Sequence, residues 1–186
     1  EAMVMPAFNK KISETECVNC GQCRVFCPTG AISIKTHMDE AWEALADPEV
    51  RVVAQVAPAV RAAWGEALGL SREEATIGKI MDALKKIGVD YVFDTSFSAD
   101  LTIMEEGNEF LQRFTKGELN LRPMFTSCCP GWVRFLKSQY PHLVPQLSTA
   151  KSPQQMFGAV AKTYFAEKAG IDPAKIVSVS VMPCTA

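Results

Sequence analysis

Arg51-Val52-Val53-Ala54-Gln55-Val56-Ala57-Pro58 is a short, nearly continuous apolar run that stops at a proline. A strand with one wet face alternates apolar and polar residues, so a run this continuous suits a strand covered on both faces, as in a parallel sheet. Tyr91 to Asp94, Pro123 to Phe125 and Ile176 to Val181 read the same way. Between these runs lie stretches with helix-start signals. Ser71-Arg72-Glu73-Glu74 reads as a capping box, and Ser152-Pro153-Gln154-Gln155 offers a Ser cap, a first-turn proline and a Gln three residues after the cap. The alternation predicts an α/β fold with a four-stranded, mainly parallel sheet, flanking helices and right-handed crossovers.

Residues with chemistry in them gather where these runs end. Ala57-Pro58, Ser96, Cys128-Cys129 and Met182-Pro183-Cys184 each follow the carboxyl end of a predicted strand, the edge at which open α/β sheets build their sites. In Phe125-Thr126-Ser127-Cys128-Cys129-Pro130-Gly131-Trp132 two cysteines are adjacent. Neighbouring side chains in extended backbone point to opposite sides, so one metal group does not easily take both thiols and two jobs are expected. Cys129 and Cys184 are candidate ligands of an iron–sulfur cluster, which soft thiolates suit; the plainer reading is a pair of core cysteines. Glu106 and Glu109, three residues apart in a predicted helix, can share a face. No Gly-x-Gly-x-x-Gly fingerprint or internal repeat is present.

Upstream, Cys17, Cys20, Cys23 and Cys27 follow the spacing Cys-x2-Cys-x2-Cys-x3-Cys-Pro. In two-cluster ferredoxins the first three cysteines of such a run ligate one cubane and the fourth ligates the other. Gly21 lets the loop bend. The partner run that a two-cluster domain needs is not in these residues, so either all four cysteines hold one cluster or the chain is an internal piece of a longer one; the second is the expectation. Ala31-Ile32-Ser33-Ile34 carries a strand signal, and Met38, Trp42 and Leu45 fall at helical spacing in a linking helix from His37 to Ala46. His37 reads as a cap or hydrogen-bonding group ahead of a metal ligand. The chain thus divides into residues 1–36, a ferredoxin-type segment, and residues 37–186.

The 186 residues suffice for one α/β domain with a small appendage. A net charge of −2 supplies no basic field for nucleic acid, and the 48% hydrophobic content comes in runs well short of the ~18 residues of a membrane span. The cysteine spacing favours metal binding in a reducing compartment over disulfides, which points to the cytoplasm. No charged region followed by an apolar one suggests a signal peptide. The end at Cys184-Thr185-Ala186, just past a candidate ligand, again suggests a piece of a longer protein.

The runs Thr126-Ser127-Cys128-Cys129-Pro130-Gly131-Trp132 and Met182-Pro183-Cys184-Thr185 resemble the first two signature motifs of the [FeFe]-hydrogenase catalytic domain. Met104-Glu105-Glu106 and Ala150-Lys151-Ser152-Pro153-Gln154-Gln155 extend the likeness. The family's third motif, with two further cluster cysteines, is not in these residues. The resemblance implies the first half of that catalytic domain over residues 37–186, electron-relaying [4Fe-4S] clusters, and an H-cluster: a [4Fe-4S] cubane joined to a two-iron subsite with carbonyl, cyanide and azadithiolate ligands. It implies cubane ligation by Cys129 and Cys184, and proton donation by Cys128. Glu106, Glu109 and Ser148 match the family's relay, with Arg113 near its outer end. Ala57, Pro58, Gln154, Met182 and Pro183 match pocket residues, while Ala59 stands where many members carry serine. The implied activity is interconversion of H2 with protons and electrons. Implied partners are ferredoxin or electron-transfer subunits and the remaining C-terminal half of the domain. Two other classes compete: a noncatalytic relative serving iron–sulfur assembly or hydrogen sensing, for which a proton-carrying Cys128 has no use, and a pure electron-transfer module, against which the long α/β region argues.

Overall fold

The computed structural model describes residues 5–118 and 122–185. In chain order its main elements are α1 (Gln22–Val25), α2 (Met38–Ala46), β1 (Arg51–Val56), α3 (Pro58–Ala67), α4 (Ile77–Ile87), β2 (Tyr91–Asp94), α5 (Ser96–Thr115), α6 (Pro130–Gln139), α7 (Pro153–Val160), α8 (Ala166–Ala169) and β3 (Ile176–Val181). A π-helical turn, Ala161–Phe165, joins α7 to α8. The chain packs as two units. A sheet unit holds Lys35–Glu105 and Lys151–Pro183; a cysteine unit holds the N-terminal residues through Ile34, Glu106–Ala150 and the chain end from Cys184.

In the sheet unit the strands run in the order β2-β1-β3 with both pairings parallel. β1 is central and all of it after Arg51 is buried. Its side chains alternate between two cores: Val53 packs with Phe157, Ala161, Ala166 and Ile176, while Val52 and Ala54 pack with Val89 and the partly buried Leu45 and Leu84. Covering both faces is what the unbroken apolar run requires. Phe165 adds edge-on ring contacts to Tyr91 at 4.9 Å and Phe93 at 5.2 Å, the arrangement that ring quadrupoles favour.

The sheet has three strands, not the four expected. Residues 123–125 form no strand; Phe125 makes one isolated parallel bridge to Leu147. Its amide donates to the Gln146 carbonyl (2.9 Å) and its carbonyl accepts from the Ser148 amide (2.7 Å), so its backbone is spent locally in the cysteine unit. Pro123, with no N–H, cannot lengthen the ladder. Residues 31–34, read as a strand, lie in irregular backbone. The Ser71–Glu74 box does form both reciprocal bonds, at 3.0 and 3.3 Å, but on a turn; the helix starts later, with Thr76 capping α4 through the Lys79 amide. The Ser152 cap of α7, the first-turn Pro153 and the linking helix α2 match expectation.

In the cysteine unit α6 is the organising helix. Leu136 is fully buried, and Trp132 sets its ring against Phe125 at 5.7 Å and Phe135 at 6.2 Å. Arg134 Nε donates to the Cys17 carbonyl at 2.7 Å, and Gln139 donates to Glu16 at 2.8 Å, tying the N-terminal cysteine segment to this helix.

Gly65, near the end of α3, has no room for a side chain: a Cβ there would lie 2.3 Å from the Cβ of Ala75. Alanine ordinarily improves a helix over glycine by about 1 kcal/mol. Here the overlap reverses the sign, and Gly65→Ala is expected to destabilise the full-length protein by about 1–3 kcal/mol in urea denaturation. Gly78→Ala, in α4 with open space around it, is the control and should be neutral or stabilising.

Candidate functional site

The adjacent cysteines of the cysteine unit differ in surroundings. Cys129 is the N-cap of α6, in extended conformation ahead of Pro130, and its Sγ accepts the Trp132 amide at 3.4 Å. Cys128 is exposed. At Gly131 a Cβ would sit 3.0 Å from the Val18 carbonyl and 3.8 Å from Cys129 Sγ, so glycine is what lets the first turn of α6 approach the Cys17–Cys20 loop. The Thr185 hydroxyl, next to the exposed Cys184, donates to the Asn19 carbonyl at 2.6 Å. Gly21 takes φ +75°, the bend expected of it.

The N-terminal sulfurs sit among polar donors. The Asn19 amide donates to Cys17 Sγ at 3.4 Å. The Thr29 hydroxyl lies 3.6 Å from Cys27 Sγ and, with the Ile32 amide next in weight, pulls this thiol down to about 7. Cys20 and Cys23 are exposed. Among the described residues no three His, Cys, Asp or Glu side chains converge closely enough to hold a metal ion.

Glu109, Arg113 and Ser148 are brought together. Glu109 accepts from the Ser148 hydroxyl (2.8 Å), the Thr149 amide (3.0 and 3.2 Å) and Arg113 (2.5 Å). Arg113 also donates to the Leu147 carbonyl at 3.0 Å, and its side chain is only 13% exposed. Burial works to raise the Glu109 pKa, but the bonds from Ser148, Thr149 and Arg113 outweigh it and hold the carboxyl below its ordinary range. Glu106, one turn earlier on α5, is half-buried and takes no part in this cluster.

The remaining candidates belong to the sheet unit. Ala57 is buried, caps α3 ahead of Pro58, and donates its amide to the Val181 carbonyl at 3.1 Å, joining the ends of β1 and β3. Gln154 is exposed in the first turn of α7, with Nε2 donating to Ser180 Oγ at 3.0 Å. Met182 is half-buried; Pro183 and Ala59 are exposed. Sequence reasoning missed the Arg61–Asp94 pair (2.5 Å), which links α3 to the end of β2, and the group of the buried Gln55 and Thr95 with the half-buried Ser180. A glutamine inside Val52–Val56 was the available signal.

Residues 50–186 match the family described as iron-only hydrogenase large subunit, C-terminal domain. The chain belongs to the iron-only hydrogenase large-subunit family. Residues 10–33 match a 4Fe-4S binding domain. The NADP-reducing hydrogenase subunit HndD of Solidesulfovibrio fructosivorans is 54% identical over all of this chain and 32% of its own length. The solved structure of the apo [FeFe]-hydrogenase HydA1 from Chlamydomonas reinhardtii aligns with a TM-score of 0.73 and 49% identity over 81% of this chain and 39% of its own. The cytosolic iron-sulfur assembly component 3 of Mus musculus is 34% identical over 94% of this chain and 38% of its length. The chain thus spans about a third of the length of these relatives. Within the hydrogenase fold the cysteines of residues 10–33 form a [4Fe-4S]-binding segment, and their donor chemistry fits: hydroxyl and amide groups aimed at sulfur stabilise the thiolates a cluster needs. No helix among the described residues is long and apolar enough to cross a membrane.

Glu109→Gln keeps the shape but removes the charge that Arg113 and two further donors face. It is expected to cost about 2 kcal/mol at neutral pH, the scale of hydrogen bonds to a charged group. A carboxyl with a lowered folded-state pKa contributes stability above its ordinary value of 4.5 and loses it as pH falls through the lowered value. The gap between wild type and variant in urea titrations should therefore be full above 4.5 and close below it; a gap independent of pH would contradict this account.

Proposed function

We propose that the chain is the N-terminal part of an [FeFe]-hydrogenase catalytic subunit that interconverts H2 with protons and electrons at an H-cluster. The observation that carries the reading is the split between two exposed thiols, Cys129, the N-cap of α6 with the Trp132 amide on its sulfur, and Cys128, one residue outside that cap, in the same unit as the Glu109–Ser148 pair. Cys129 and Cys184 would ligate the cubane, with the two further ligands coming from the C-terminal half of the domain. Ala57, Pro58, Gln154, Met182 and Pro183 would line the two-iron subsite. The cofactor, when bound, would supply the interconversion of H2 with protons and electrons. Cys128, Glu106, Glu109 and Ser148 would carry that proton, with Arg113 setting the charge of Glu109.

Residues 1–36 act as the ferredoxin-type segment that passes electrons, and residues 37–186 as the first subdomain of the catalytic domain. The electron partner is ferredoxin or further subunits of a complex, the second favoured by the likeness to a subunit of an NADP-reducing hydrogenase. The working compartment is the cytoplasm. Likeness to an iron–sulfur assembly component supports a second reading, a noncatalytic protein that binds clusters alone; Cys128 separates the two.

The test uses the complete subunit. Cys129→Ala should lower both iron content and the carbonyl and cyanide infrared bands. Cys128→Ala should spare both yet lose activity by ~10²–10⁴-fold, the usual contribution of a positioned proton donor, and Cys128→Asp should recover part of it. Wild-type turnover in Cys128→Ala with full cofactor would remove the proton-carrying role, whereas a wild-type subunit that binds iron but shows neither carbonyl and cyanide bands nor turnover would favour the assembly reading.

A further inference from the structure

Ala57, Gln154 and Met182 come from three separate segments of the sheet unit, and one buried side chain, Gln55, ties together the segments that carry them. Gln55 is fully buried in β1, two residues before Ala57. Its Nε2 donates to the Gln154 backbone carbonyl at 3.2 Å and to Ser180 Oγ at 3.1 Å, while its Oε1 accepts from the Thr95 hydroxyl at 3.1 Å. A carbonyl can only accept, so the Gln154 contact fixes which end of the carboxamide faces it. Ser180, two residues before Met182, also receives the Gln154 side chain at 3.0 Å. The ends of β1, β2 and β3 and the first turn of α7 are therefore held by one amide group with both its donor and its acceptor sides used.

Nothing in the packing of β1 requires this. Val52, Val53, Ala54 and Val56 are all apolar and buried, and a polar group at zero exposure persists only where every bond is made. We propose that Gln55 is a positioning residue for the cofactor pocket: through Ser180 and the Gln154 carbonyl it sets the Gln154 side chain and the strand end that leads to Met182. It acts through these residues and touches no reacting atom. The inference rests on the proposed reading of Gln154 and Met182 as residues lining the two-iron subsite.

The test is Q55M, close in shape and without hydrogen bonds, in the complete cofactor-loaded subunit, beside Q154M and the double variant. Q55M should keep wild-type iron content, lose activity by about tenfold, at the lower end for outer-shell partners of a metal site, and displace the carbonyl and cyanide infrared bands. Q154M should displace the same bands, and the double variant no more than the larger single, since both changes act through one network. A merely structural Gln55 would lower the melting temperature and leave the bands in place. Q154M bands that move while those of Q55M coincide with wild type overturn the role of Gln55 and leave the pocket reading standing. Q154M bands that stay put overturn the pocket reading and the inference with it. Should Q55M not accumulate, S180A carries the test, because it removes the contact shared by both amides with little change of volume; wild-type bands in S180A overturn the proposal.

Discussion

β1 is enclosed on four sides, by hydrogen-bonded ladders to β2 and β3 and by an apolar cluster on each face. Each fully buried valine is worth about 1.5–3 kcal/mol, so Val52, Val53 and Val56 together rival the 5–15 kcal/mol of net stability of a typical domain. The rest of the sheet unit takes its position from this strand. Because β1 is central and parallel to both neighbours, the residues that leave its carboxyl end lie between those that leave β2 and β3. The Ala57 amide bond to Val181 and the Thr95 amide bond to Val56, both 3.1 Å, continue that order past the strands themselves.

A second constraint is local and recurs at the starts of three α-helices. Ala57-Pro58, Cys129-Pro130 and Ser152-Pro153 each put a proline at the first helical position and an extended residue before it, with ψ of 148°, 113° and 156°. Proline has no N–H to leave unsatisfied at a helix start, and its ring pushes the preceding residue out of the helical region. The side chain before each proline is thereby turned to the helix N-terminus, where free amides point outward. Cys129 uses this placement to receive an amide on sulfur, and Ser152 uses it to cap α7. Ala57, Cys129 and Ser152 are thus placed by the same backbone rule in two different units.

That rule explains how far the sequence could be read. Period, proline and cap signals act over a few residues, and β1, β2, β3, α2 and the start of α7 followed from them. Pro123–Phe125 looked equally strand-like, but a three-residue run beginning with proline had too few donors, and Phe125 paired instead with a segment just ahead of Ser148. The Ser71–Glu74 box made its own bonds without a helix to follow, since four residues of capping cannot supply the propagation energy of α4. Contacts across long separations left no local trace. Glu109 meets Ser148 across 39 residues and Gln55 meets Ser180 across 125; the first pair was suggested by family resemblance, and the second was missed, with a glutamine out of place as its only mark.

The geometry around Ser148 and Glu109 also constrains how protons would travel on the proposed path. A hydroxyl has one donor and two acceptor positions. Ser148 Oγ donates to Glu109 and accepts the Ala150 amide at 3.1 Å, which leaves one lone pair to take a proton from elsewhere. On the proposed path Ser148 would pass a proton to Glu109 as it receives another. Glu109, held below its ordinary pKa, keeps that proton poorly at neutral pH. Protonating it would also cancel the charge opposite Arg113, whose guanidinium is nearly buried and would be left with the carbonyls of Leu147 and Pro145. An uncompensated buried charge is costly. On the proposed path the cluster would therefore favour transit of a proton through Glu109 over its storage there.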